Sequence, residues 1–166
     1  FVLSEQKQNR EAEQYLRHAL SIDPGIADAH YVLGTIAKDR NDPVGSIDHF
    51  TRALELKPDF DFAYRDLVAV LTQSGRIQQA KDVLGRAIAV YPESAEFQFY
   101  LGNLLAHGED YDNAVACYQK ALLIQPASAE SHKNLADVQR KRGQLDQAVA
   151  SYQKALWFDP NLFDAH

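Results

Sequence analysis

The residues able to carry chemistry are few and scattered. Six histidines supply imidazoles, His18, His30, His49, His107, His132 and His166, and Cys117 supplies the one thiol. A zinc site needs four ligands converging tetrahedrally, and no second cysteine or close histidine pair stands at ligand spacing here. His30, His132 and His166 lie 34 residues or a multiple of 34 apart, which predicts equivalent packed helix faces and not ligands of one ion. Cys117 sits beside Tyr118 and reads as a small core residue, because a reactive thiolate needs an exposed electropositive setting. Glu109, Asp110 and Asp112 cluster at an expected helix start, where carboxylates suit the helix dipole. No phosphate-cradling glycine loop, G-x-S-x-G turn or paired-cysteine motif occurs. The sequence therefore predicts no catalytic residue, no metal and no cofactor.

The totals point to binding. Of 166 residues, 46% are apolar and 24% charged, values of a folded domain with a core. The net charge of −6 argues against nucleic acid and against anionic membranes, both of which need excess Lys and Arg. One basic run, Arg140-Lys141-Arg142, departs from this and reads as a solvated helix end. No apolar run reaches spanning length. A lone cysteine precludes an internal disulfide and suits a reducing compartment such as the cytoplasm. The chain starts at Phe1, has no Met and ends mid-pattern, which predicts a segment of a longer protein.

The pattern is a repeat. Prolines stand at 24, 58, 92, 126 and 160, every 34 residues. In phase with them run small-to-large pairs, Ala12/Leu16, Ser46/Phe50, Ala80/Leu84, Ala114/Tyr118 and Ala148/Tyr152. An alanine follows each pair: Ala19, Ala53, Ala87, Ala121 and Ala155. Earlier in each unit comes Leu33-Gly34, Leu67-Val68, Leu101-Gly102 or Leu135-Ala136. Period, order and internal spacing resemble the tetratricopeptide repeat family, W-x2-L-G-x2-Y, then A-x3-F, then P. In the family's frame the units are 27–60, 61–94, 95–128 and 129–162, with a partial unit over 1–26 and the opening of another at 163–166. The departures fall at unit position 4 (His30, Tyr64, Gln98, His132) and position 11 (Ala37, Leu71, Leu105, Gln139).

Each unit reads as two amphipathic helices, with positions 4, 7, 8 and 11 of the first on one stripe. Small residues at positions 8, 20 and 27 predict close helix approach. Gly75, Gly143 and Asn41 sit where a left-handed residue ends a helix. Asp42 before Pro43, Ser94 and Ser128 are expected N-caps. One unit cannot bury its own faces, so neighbours must stack. The expected fold class is all-α; the resemblance implies a right-handed solenoid of about four full helix-turn-helix units. Trp157, Phe158, Leu162 and Phe163 are expected to lie uncovered at the C-terminal end, which allows self-association through terminal repeats. Leu123 and Trp157 occupy a position that is usually polar in the family, and could form a second contact surface.

Positions 2, 5, 9, 12 and 13 of each first helix lie opposite the packed stripe, and the resemblance implies that this face lines a concave groove. The partner-binding candidates are Tyr31, Thr35 and Lys38, then Phe62 and Arg65, then Phe99, Asn103 and His107, then Lys133, Asp137 and Arg140. Aromatic residues and Arg are the types enriched among interface anchors, so Tyr31, Phe62 and Phe99 predict an apolar floor with mixed charge beyond it. The expected function is a protein-interaction scaffold gripping a peptide or partner protein. The constellation with which some relatives bind chaperone tails is absent, since Tyr31 and Phe99 stand where lysine is needed. The stretch from Asn134 to Ala155 also resembles the repeats of O-linked N-acetylglucosamine transferases, which suggests the substrate-recognition arm of a larger enzyme as the alternative. Those repeats carry Asn at position 6, where this chain has Val32, Asp66, Tyr100 and Asn134.

Overall fold

The period of the sequence becomes a period of helix starts. In the computed structural model, which describes residues 2–162 with side chains from Arg10 onward, first helices run over Ala27–Asp39 (α2), Asp61–Gln73 (α4), Ala95–His107 (α6) and Ala129–Lys141 (α8). Second helices run over Pro43–Leu56 (α3), Ile77–Val90 (α5), Tyr111–Ile124 (α7) and Leu145–Phe158 (α9). Each start falls 34 residues after its counterpart. Residues 1–26, expected as part of a unit, contain one continuous helix, α1 (Val2–Ile22). Phe163, His166 and the expected opening of a further unit lie outside the described residues. Among the described residues there is no strand.

Local chemistry sets the helix ends. The Asp42 carboxylate accepts from Gly45 N at 3.0 Å, and Pro43 follows at the first helical position. Ser94 caps α6 by accepting from Phe97 N, and Ser128 caps α8 by accepting from Ser131 N. Each such bond satisfies a backbone donor with no partner inside the helix. Asn41, Gly75 and Gly143 are left-handed, at φ 56°, 70° and 75°, as expected. The equivalent turn residue in the remaining hairpin is Glu109, at φ 61°. Glu109 was expected to serve the start of α7, but Asp110 is the cap there and Asp112 lies in the first turn.

The chain divides between Val83 and Leu84 into two compact units. In the first, α2 packs on α1 and α3, and α3 on α4. In the second, α6 packs on α7, α7 on α8, and α8 on α9. The small positions lie deepest: Ser46, Ala53, Ala80, Ala87 and Ala114 are fully enclosed. A Cβ built on Gly34 would stand 2.6 Å from the Phe50 ring, and one on Gly102 would stand 2.7 Å from the Tyr118 ring. The buried stripe of the first helices is wider than positions 4, 7, 8 and 11. It takes in Ala29, Ala63, Phe97 and Ser131 at position 3, and Ile36, Val70, Leu104 and Val138 at position 10. Buried Gln139 accepts from Ser151 Oγ at 2.8 Å, so the polar departure at position 11 is satisfied within its own hairpin.

Three of the histidines, His30, His49 and His132, are engaged in packing. His132 is buried, stacks on Phe158 at a centroid distance of 5.7 Å, and has Nε2 3.0 Å from the Pro126 carbonyl. A carbonyl only accepts, so that nitrogen donates. In the first unit, His30 Nδ1 lies 3.1 Å from His49 Nδ1. One ring must donate and the other accept, so both cannot be charged. Burial, then the charge of His30 and that of Arg17, push His49 below its usual range, against weaker opposition from Asp48 and Glu13.

The close approaches predict opposite signs for one substitution. Gly34→Ala must displace a fully buried ring and should destabilise by about 1–3 kcal/mol in urea unfolding. Gly85→Ala, in α5 with open space around it, should stabilise by about 0.5–1 kcal/mol. Glu109→Gly should relieve the left-handed strain and stabilise by about 1 kcal/mol. Because the folded state favours neutral His49, its contribution is complete above about pH 6.5 and lost as pH falls through the depressed value. Thermal melts between pH 7.5 and 5.5 should therefore fall more steeply for the wild type than for His49→Gln.

Candidate functional site

The outward faces of the first helices are held by side-chain bonds. In the first unit the centre is Asp66, which was not among the candidates. Tyr31 Oη donates to its Oδ2 at 2.9 Å, and Lys38 Nζ lies 2.6 Å from Oδ1. These bonds tie α2 to α4. Burial, then the bond to the Asp66 carboxylate, push the Tyr31 phenol up, so it stays a donor at neutral pH. The Tyr31 ring leans on Phe60 and Phe50, with centroids 4.8 Å and 5.7 Å away. Thr35 Oγ1 donates to the Tyr31 carbonyl of its own helix. Phe62 is 56% exposed, with the Arg65 guanidinium 5.5 Å from its ring centre. Arg65 also reaches Asp61 at 3.3 Å.

In the second unit the centre is Asn103. Its Oδ1 accepts from Tyr118 Oη at 2.8 Å and from Asn134 Nδ2 at 2.9 Å, which ties α6 to both α7 and α8. Tyr118 is 1% exposed, and burial pushes its phenol far up. Asp137 accepts from Tyr152 Oη and lies 3.5 Å from Lys133 Nζ. Arg140 meets the same Tyr152 phenol. Phe99 is half-buried against the core, 6.1 Å from the Tyr118 ring. An open cavity of about 380 Å³ is lined by His107, Tyr111, Tyr118, Asn134, Asp137, Arg140 and Lys141, among others.

The expected apolar floor is thus divided between roles. Tyr31 and Phe99 each turn one side to the core of their own unit, and Phe62 is the aromatic that stands out. The structure gathers Tyr31 and Lys38 around Asp66 in one unit. It gathers Asn103, Lys133, Asp137, Arg140 and His107 around one face in the other. Sequence reasoning passed over Asp66, Tyr118, Asn134 and Tyr152 as parts of these faces. Their signal was present: Asp66 and Asn134 share position 6, while Tyr118 and Tyr152 share position 24, where Phe50 and Leu84 have no hydroxyl. Leu123 and Trp157 are 81% and 82% exposed and flank a larger apolar cavity of about 800 Å³ on the α7 and α9 side. Among the described residues, no group of three or more His, Cys, Asp or Glu stands close enough to hold a metal ion. No helix among them is long and apolar enough to cross a membrane. Burial pushes the Cys117 thiol up, away from thiolate chemistry.

The backbone is similar to solved proteins over nearly its whole length. It matches the crystal structure of MamA with a TM-score of 0.83 at 23% identity, over 95% of this chain and 92% of that one. It matches YrrB, described as a TPR protein with an unusual peptide-binding site, with a TM-score of 0.80 at 22% identity, over 97% and 83%. It matches pilF of Pseudomonas aeruginosa with a TM-score of 0.75 at 22% identity, over 93% and 70%. At these identities the likeness speaks for the fold. No curated protein matches by sequence. Models of the tetratricopeptide repeat match residues 2–59, 66–130 and 129–162. With helix starts, small-residue packing and sequence models all in the same register, the chain belongs to the tetratricopeptide repeat family.

Proposed function

We propose that this chain is a protein-interaction scaffold that binds a peptide or a segment of a partner protein on the faces of its first helices. The observation that carries the reading is the fixing of polar side chains before any ligand arrives. Asn103 holds Asn134 from the next first helix, and Asp66 holds both Tyr31 and Lys38. Ordering a long side chain on binding costs about 0.5–1.5 kcal/mol, and here much of that ordering belongs to the fold. Amides suit a peptide because each offers a donor and an acceptor to the backbone. Phe62 adds an exposed aromatic backed by a cation, the type that anchors interfaces. The described residues offer a contact surface on these faces.

The alternative, the substrate-recognition arm of a glycosyltransferase or methyltransferase, is not favoured. An asparagine ladder needs an amide at position 6 of successive units. Asp66 is instead committed to Tyr31 and Lys38, and Tyr100 Oη donates to Glu96 at 2.9 Å.

Selection of a displayed random peptide library on the purified chain tests the proposal. Selected peptides should bind with affinities that drop at least tenfold, about 1.4 kcal/mol, with Phe62→Ala or Asn134→Ala at unchanged melting temperature. Binding within twofold of wild type for both variants would move the contact off these faces.

A further inference from the structure

Arg140, Lys141 and Arg142 close α8, and in the sequence they read as a solvated end. In the structure each is engaged. Arg142 lies 2.6 Å from the Asp112 carboxylate, and Lys141 Nζ lies 5.4 Å from the Tyr111 ring centre. Arg140 meets the Tyr152 phenol that also donates to Asp137. Arg140, Lys141 and His107 stand along the 380 Å³ cavity of the second unit, with Asn134 and Tyr118 also in its lining. The carboxylate in that lining, Asp137, is already answered by Tyr152 and Lys133. The charge left over is positive, a local reversal in a chain of net charge −6. Tyr111, Val138 and Ala106 supply apolar wall beside it.

We propose that this cavity receives an acidic side chain, Asp or Glu, of the bound peptide, with its carboxylate on Arg140 and Lys141. The inference rests on the peptide-binding reading above and names the chemistry of its ligand. A guanidinium presents parallel donors that match a planar carboxylate. The apolar wall accommodates the methylenes that carry it. Both cations are exposed, so they reach a ligand without burial beforehand, while their contacts to Tyr152 and Tyr111 hold them at the cavity mouth.

The test uses the whole chain and a random dodecapeptide library fused through its C-terminus, so that side chains supply every carboxylate. Peptides selected on wild type should share Asp or Glu at a fixed distance from an apolar residue. Replacing that Glu by Gln in a synthetic, C-terminally amidated peptide should weaken binding to wild type at least tenfold. The same replacement should change binding to the Arg140→Gln/Lys141→Gln variant less than twofold. Selected peptides with no shared acidic position would overturn the inference and leave peptide binding standing. So would a Glu-to-Gln loss of equal size on both proteins, because the carboxylate would then be read elsewhere. Failure to select any peptide would remove both readings.

Discussion

Two of the hairpins, α2–α3 and α6–α7, close where a residue without a side chain meets a ring. Gly34 leaves the space that Phe50 fills, and Gly102 leaves the space that Tyr118 fills. Interiors pack near crystal density, so the separation of the two helices follows from the smallest residue at their crossing. A mid-helix glycine gives up about 1 kcal/mol of helix propensity. The offset is a large ring enclosed against the backbone: Phe50 is 0% and Tyr118 1% exposed. Once that distance is set, the alanines and serine at the other small positions are forced inward, and the outward face of the first helix has one orientation.

The same ring position then connects core to surface. Tyr118 occupies the gap at Gly102 and extends its hydroxyl past the helix to Asn103. Tyr152 makes the corresponding reach to Asp137. Where the ring is Phe50 there is no hydroxyl to extend, and the face is organised from the other side, by Asp66 of the following first helix. Two routes thus produce similar results, a set of polar groups whose directions are fixed by bonds into packed structure. Buried phenols raised by desolvation remain donors at neutral pH, so these links do not change over the physiological range.

This economy leaves each face with some groups committed to the fold and others turned outward. Here the carboxylates of Asp66 and Asp137 are occupied, the Cys117 thiol is buried, and His132 is bonded and stacked. What remains outward on the first-helix faces is directional hydrogen bonding, the exposed Phe62 ring, and a cationic rim at Arg140 and Lys141. Those are means of recognition, and pre-ordering lowers the entropic cost of using them.

The sequence by itself determined the period, the helix phase, the caps and the small-residue positions, because each depends on contacts within one 34-residue unit. Pro43, Gly75 and Ser94 act on their own turns, and Ala53 or Ala121 is buried in whichever hairpin carries it. The tertiary structure decided which outward residues are free. Tyr31 and Phe99 stand at face positions like Phe62, yet lean on the rings of Phe50 and Tyr118 from other helices. Asp66 and Asn134 became organisers of the faces only because a neighbouring first helix brought Lys38 and Asn103 within bonding distance. Helical periodicity reports the direction of a side chain from its own axis. Its partners come from helices some 30 residues away, at distances and angles that packing, not periodicity, sets.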